Sequence, residues 1–268
     1  MDGNMTRPIL HESKALSSSP EPPRPSGHHS PGDAVGLATN SFFGQLSEWS
    51  LDQLGALAAF RMTVDKVVEK LNKDVGDWLS RPDGLESLVK IFDSIFFRGK
   101  LIDVRCEGAT PEKLNGSYGR TSTVNKRVYV YINSQHGRVA GDASVAISVI
   151  STVLHECVHA YFVEAACNGI NSKTPCTLEA CQKLLEQELG KGGHGESWHY
   201  LGANVEREAR KVLGMEVQLG REAAAIAHFE ATGEVLGSAM VQNCFAGRKR
   251  LVVVPTTRTR DGRTVKFQ

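Results

Sequence analysis

Apolar residues recur at helical spacing from Ser50 onward. Leu51, Leu54, Leu57 and Ala58, then Val64, Val67, Val68 and Leu71, follow a 3.6-residue period and predict helix. Pro82-Asp83-Gly84 reads as a turn. Beyond it Leu85, Leu88, Val89, Phe92, Ile95 and Phe96 form a second helical stripe, stopped by Gly99. The pattern then changes. Leu101 to Cys106 predicts a short strand, Asn115 to Gly119 a turn or strand edge, and Arg127 to Asn133, β-branched and aromatic throughout, a strand. From Ala143 to about Cys167 the apolar residues crowd nearly all faces: Val145, Ile147, Val149, Ile150, Val153, Leu154, Val158, Tyr161 and Phe162. A helix apolar on most faces is a buried, central one, here with Asp142 as its expected N-cap and Gly169 as its stop. A polar helix is expected from Thr177 to Leu189. Four glycines between 190 and 195 break the chain before a helix that starts at Ser197 or Trp198 and runs to Val212. Residues 220–231 read as helix, and a short strand follows the basic run at Arg248-Lys249-Arg250. Runs of helices set apart from a run of a few short strands point to the α+β class.

Composition changes this picture at the ends. Residues 1 to about 40 are rich in Ser, Pro, Gly and His and poor in large apolar residues, which predicts disorder. The expected divisions are a disordered tail over 1–45, a helical extension over 46–84, the main domain over 85–215, and a helix with a basic tail over 216–268. The 268 residues carry a net charge of +1, so overall charge announces neither a nucleic-acid nor a membrane partner. No apolar run of membrane-spanning length is expected, and the N-terminus has no apolar signal region; the expected location is nuclear or cytoplasmic. Six cysteines occur without a CxxC pair, so a zinc ribbon is not supported. Cys176 and Cys181 read as free thiols in a reducing compartment.

The chemistry sits in the central helix, in Leu154-His155-Glu156-Cys157-Val158-His159. Residues i and i+4 of a helix project from one face, so His155 and His159 can offer nitrogens to one metal ion. Glu156, rotated by ~100°, can reach the water such an ion activates without binding the ion itself. Two histidines and a glutamate on an otherwise apolar helix are costly unless something binds them. The pattern therefore points to Zn2+, with Glu156 moving the proton from water to the leaving amine. The spacing after His159 excludes the metzincin arrangement, because Phe162 and Ala165 stand where a glycine and a histidine would. Two candidates for a third ligand remain. Glu179, with Glu186 and Glu188 behind it, lies on the following polar helix. His194 lies between Gly193 and Gly195, where the backbone can approach a crowded site, and is the favoured ligand. His199 reads as a helix-surface histidine or a support for a ligand.

Four stretches in order resemble the SprT-like (Spartan-like) zinc metalloprotease family: Leu88 to Leu101, with Phe92-Asp93, Phe96-Phe97, Gly99 and Leu101; Gly116 to Arg120 before the 127–133 strand; Val153 to Tyr161; and Gly193-His194-Gly195-Glu196-Ser197-Trp198. The resemblance covers residues 85 to 215. It implies a zincin-like fold in which the HExxH helix packs with several helices and a small antiparallel-type sheet. It implies a zinc endopeptidase with His155, His159 and His194 as ligands and Glu156 as general base and acid, acting on proteins on or crosslinked to DNA. Two departures stand out. Residues 168–190 read as an insertion over the active site, and no cysteine-rich ribbon follows. DNA contact then falls to the basic C-terminal segment, Arg248, Lys249, Arg250, Arg258, Arg260, Arg263 and Lys266. The alternative is a zinc-bound scaffold or binding module with little or no proteolysis, its cleft obstructed by the insertion.

Overall fold

The computed structural model describes residues 30–42, 48–125, 127–139, 142–166, 179–190, 192–233, 236, 253–254 and 266–267. Four helices come first: α1 (Pro31–Phe42), α2 (Leu51–Lys73), α3 (Val75–Leu79) and α4 (Pro82–Phe92), the last running into a π-helical turn over Asp93–Phe97. A small sheet follows, built from β1 (Arg105–Ala109), β2 (Gly119–Val124) and β3 (Arg127–Asn133). Helices α5 (Val145–Ala165), α6 (Glu179–Leu189), α7 (Glu196–Val212) and α8 (Arg221–Thr232) come next, then the short strands β4 (Val253–Val254) and β5 (Lys266–Phe267). The protein is mixed α+β and mostly helical.

The expected elements are present, with shifts that have local causes. Pro82 opens α4 instead of marking a separate turn, because its fixed φ and missing N–H suit the first helical turn. Ser144, not Asp142, caps α5; its Oγ accepts from Ile147 N at 3.2 Å. Ser50 and Gln53 form a reciprocal capping box at the start of α2. The first strand lies at Arg105–Ala109, later than the Leu101–Cys106 reading, since Leu101–Val104 still belongs to the turn after the π segment. There Asp93 Oδ1 accepts from Leu101 N at 3.0 Å.

Two larger expectations are corrected. The sheet is mixed, in the order β1-β3-β2: β2 pairs antiparallel with β3, while β1 pairs parallel with it, Arg105 opposite Tyr129. Side-chain pattern fixes which face a strand buries, not its direction. Residues 31–42, inside the stretch read as a disordered tail, form α1. Ser30 and Asp33 cap each other, with Asp33 N donating to Ser30 Oγ at 3.1 Å and Ser30 N donating to Asp33 Oδ2 at 2.8 Å. Ala34, Val35 and Ala38 are buried, and Tyr161 Oη donates to the Ala34 carbonyl at 2.8 Å. Small side chains let α1 lie close against surfaces made elsewhere in the chain, so its low apolar content does not prevent folding. Residues 1–29, most of the basic C-terminal run, Cys176 and the side chain of Cys181 lie outside the described residues.

The core is continuous from Ala34 to Ala224. Phe60, Phe92, Phe96, Phe97 and Tyr161 form a chain of ring contacts through it, with centroids 5.3–6.3 Å apart. At its centre is α5, whose Val149, Ile150, Val153, Leu154, Cys157 and Val158 are wholly buried. By length and composition α5 does qualify as a membrane span, against the expectation of none. Most of it is enclosed by the fold, which accounts for its apolar faces. Cys157 on α5 and Cys106 on β1 are free, buried thiols.

Candidate metal centre

His155 and His159 share one face of α5, as their spacing requires. His194 comes from the turn between α6 and α7. Its Nε2 lies 3.0 Å from His159 Nε2 and 3.2 Å from His155 Nε2, and the two α5 nitrogens are 3.1 Å apart. A tetrahedral ion at ~2.0–2.1 Å from each nitrogen would hold them roughly 3.3 Å apart. The three histidines are thus close enough to bind one metal ion. Glu179 is exposed at the start of α6 and does not belong to this cluster. His199 is not a surface residue: it is fully buried and packs edge-on against Trp198, with centroids 5.1 Å apart.

The donor chemistry fits a cation. Burial, reinforced by the neighbouring rings of His155 and His194, lowers the His159 pKa far below its ordinary value. Burial, then the nearby His155, pushes His194 down to about 3. Both rings are therefore neutral near pH 7 and present lone pairs. His155 Nδ1 lies 2.7 Å from the Leu219 carbonyl, a bond in which the ring nitrogen must donate, so its Nε2 is left as a donor to metal. Trp198, itself fully buried, touches all three rings, with centroids 4.8, 5.4 and 4.7 Å from His155, His159 and His194. It limits how far each imidazole can turn.

Glu156 faces the other way round the helix, toward β2. Thr121 Oγ1 donates to its Oε2 at 2.7 Å and to its backbone carbonyl at 3.0 Å. The remaining oxygen, Oε1, lies 4.0 Å from His155 Nε2. Burial raises the Glu156 pKa, with His155 and the Thr121 hydroxyl opposing the rise. β2 reaches this carboxylate because Gly119 has no side chain: a Cβ there would lie 2.8 Å from Thr152 Cγ2 and 2.9 Å from Glu156 Cγ. A cavity of about 740 Å³ covers the triad. Its floor is α5, and β2, α6, α8 and the 192–194 turn form its walls.

Two supports, Leu219 and Glu206, had no signal in the sequence, and Glu188, weighed there only as a candidate ligand, has a different role. Leu219 contributes a backbone carbonyl, which every residue has. Glu206 holds that segment in place: its Oε1 accepts from Leu219 N and its Oε2 from Arg221 Nε, each at 2.7 Å. Glu188 of α6 accepts from Ser197 Oγ at 3.0 Å and from Gly32 N, tying α7 and α1 to the same helix. Trp198 stands inside the motif Gly193 to Trp198, where its contact with the rings was legible only as proximity. Glu206→Gln keeps one acceptor and loses the ion pair to Arg221. It is expected to weaken metal binding about tenfold or more without unfolding the chain, as read by competition with a chromogenic chelator. Unchanged affinity would remove Glu206 from the support of His155.

Acid should destabilise the metal-free protein. His159, His194 and His199 all have folded-state pKa values below the ordinary 6.5, chiefly through burial, His194 and His199 at about 3. The unfolded chain therefore takes up protons first as pH falls below about 6.5, and stability drops from there toward pH 3. Each such histidine contributes a slope of roughly 1.4 kcal/mol per pH unit within the window. Melting temperatures of chelator-treated protein at pH 7.5, 6 and 5 should fall in that order; a flat series contradicts the burial of these rings. No family model, no curated protein and no solved structure matches this chain.

Proposed function

We propose that this chain is a zinc-dependent endopeptidase with a zincin-like, SprT-like active site, acting on protein substrates. The observation that carries the reading is the convergence of three imidazole nitrogens at 3.0–3.2 Å beside the free oxygen of Glu156. Three nitrogen donors with a fourth position open to a cavity suit a catalytic zinc better than a structural one, whose four ligands are all protein. When bound, zinc supplies Lewis-acid polarisation of a carbonyl and brings the pKa of a water toward ~7.

The protein's own groups do the rest. His155, His159 and His194 hold the metal, and Trp198 and the Leu219 carbonyl fix their orientation. Glu156 takes a proton at Oε1, while Thr121 anchors Oε2, and returns it to the leaving amine. Its pKa, raised by burial, suits a group that must both accept and release a proton. β2, at the edge of the sheet, borders the cavity and offers main-chain groups to an extended peptide. Substrates on or crosslinked to DNA follow from the resemblance alone.

The test is cleavage of a histone and of casein by zinc-loaded full-length protein, with and without single-stranded DNA, and with chelator. Metal-dependent cleavage is the expected result. Cleavage that requires DNA supports the DNA-linked substrates; cleavage indifferent to DNA rejects them and leaves a general peptidase. Failure to cleave either protein under both conditions rejects the peptidase and leaves the zinc-bound scaffold.

A further inference from the structure

The cavity over the triad is long and unequal at its two ends. It follows α5 from Ser148 to Val163, about 22 Å at ~1.5 Å per residue. That length accommodates roughly six or seven extended residues. Toward the start of α5 the lining mixes polar and apolar groups, with Ser117, Tyr118, Val139, Asp142 and Ser148. Toward its end it is apolar. Phe162 and Val163 lie three and four positions after His159, hence on the same helix face one turn beyond the triad. Leu185 and Leu189, four apart on α6, face the same space. On the α8 side stand only methyl groups, those of Ala223, Ala224 and Ala227.

We propose that α6 and α8 build a subsite for one large apolar side chain, Leu- or Phe-like, of a peptide whose neighbouring carbonyl lies at the metal. The proposal rests on the peptidase reading. Two leucines of α6 and three alanines of α8 line this part of the cavity, so the wall is apolar yet leaves room that bulkier α8 residues would fill. Apolar lining of this kind, continuous with a polar reacting centre, gains from an apolar occupant that displaces poorly held water. Both elements lie outside the resembling motifs. α6 belongs to the stretch read as an insertion and α8 follows residue 215, so this selectivity is a property of the chain itself. α6 then acts as a wall of the substrate site.

Binding to zinc-loaded full-length protein tests this without requiring turnover. Acetohydroxamate and peptide hydroxamates that differ in one side chain, Ala, Leu, Phe or Lys, are titrated in turn. Leu or Phe should bind at least tenfold tighter than Ala, and Lys should gain nothing. Ala227→Leu should abolish that gain while bound zinc and acetohydroxamate affinity stay unchanged. Should Ala227→Leu fail to fold by circular dichroism, Leu185→Ala serves instead and should cut the Leu-over-Ala preference at least threefold. Equal affinity across the series, or a preference that neither variant alters, overturns the subsite. A chain that prefers Leu and Phe yet cleaves no protein overturns the peptidase reading alone. One that cleaves without apolar preference overturns only the subsite.

Discussion

Glu156→Gln is expected to keep bound metal at full stoichiometry and to lose peptide hydrolysis by about 10²–10⁴-fold, the usual worth of a positioned general base. The amide has nearly the shape of the carboxylate, and its oxygen can still accept from Thr121 Oγ1, which now donates to Glu156 Oε2 at 2.7 Å. What disappears is the proton acceptor at Oε1, 4.0 Å from His155 Nε2. Glu156 is not a member of the metal-binding cluster, so the ligand set is untouched. Metal analysis and a peptide-cleavage assay on the same preparation check both halves. Full activity in the variant would sink the role given to Glu156, and loss of metal would show that Glu156 helps to hold it.

Gly195→Ala is expected to damage the site through backbone alone. The Gly195 amide donates to the Leu189 carbonyl at 2.7 Å, locking the end of α6 against the start of α7. A Cβ at residue 195 would lie 2.7 Å from Leu189 C and 2.8 Å from Glu188 C, both main-chain atoms with no rotamer to turn aside. Either α6 withdraws or the turn carrying His194 shifts. The cost is about 3 kcal/mol or more by analogy with forced overpacking, and metal affinity should fall at least tenfold because His194 moves with the turn. Gly192→Ala is the matched control: its Cβ would lie an ordinary 3.9 Å from His194 Nδ1. A surface change of that kind should alter stability by no more than ~0.5 kcal/mol. Equal melting temperatures for the two variants would contradict the packing at Gly195.

The legible part of the site was the part governed by local geometry. His155 and His159 share a helix face because of the helical repeat, and that repeat is written in the sequence. His194 could be favoured over Glu179 because flanking glycines signal a close backbone approach, and the cluster contains His194 while Glu179 is exposed. The illegible part depends on pairing at a distance. Thr121 meets Glu156 only through the register of β2 on β3, in which Thr121 faces Val130. The parallel partnership of β1 with β3 has no side-chain signature either. α1 was misread because its stabilising surface belongs to other helices, among them the Tyr161 hydroxyl. The apolar density of α5 reflects burial among its neighbours and needs no lipid.

The bond between Tyr161 and Ala34 spans 127 positions, and that between Glu188 and Gly32 spans 156. During synthesis α1 leaves the ribosome well before α6 and α7, two of the surfaces that receive it, are made. At ~5–20 residues per second, roughly 10–30 s pass before α6 and α7 follow. Until then α1 can meet only the Asp93–Phe97 turn and α5, and its seat on α6 and α7 is missing. α1 therefore takes its final seat only after α7 has been made, late in synthesis although it stands early in the chain.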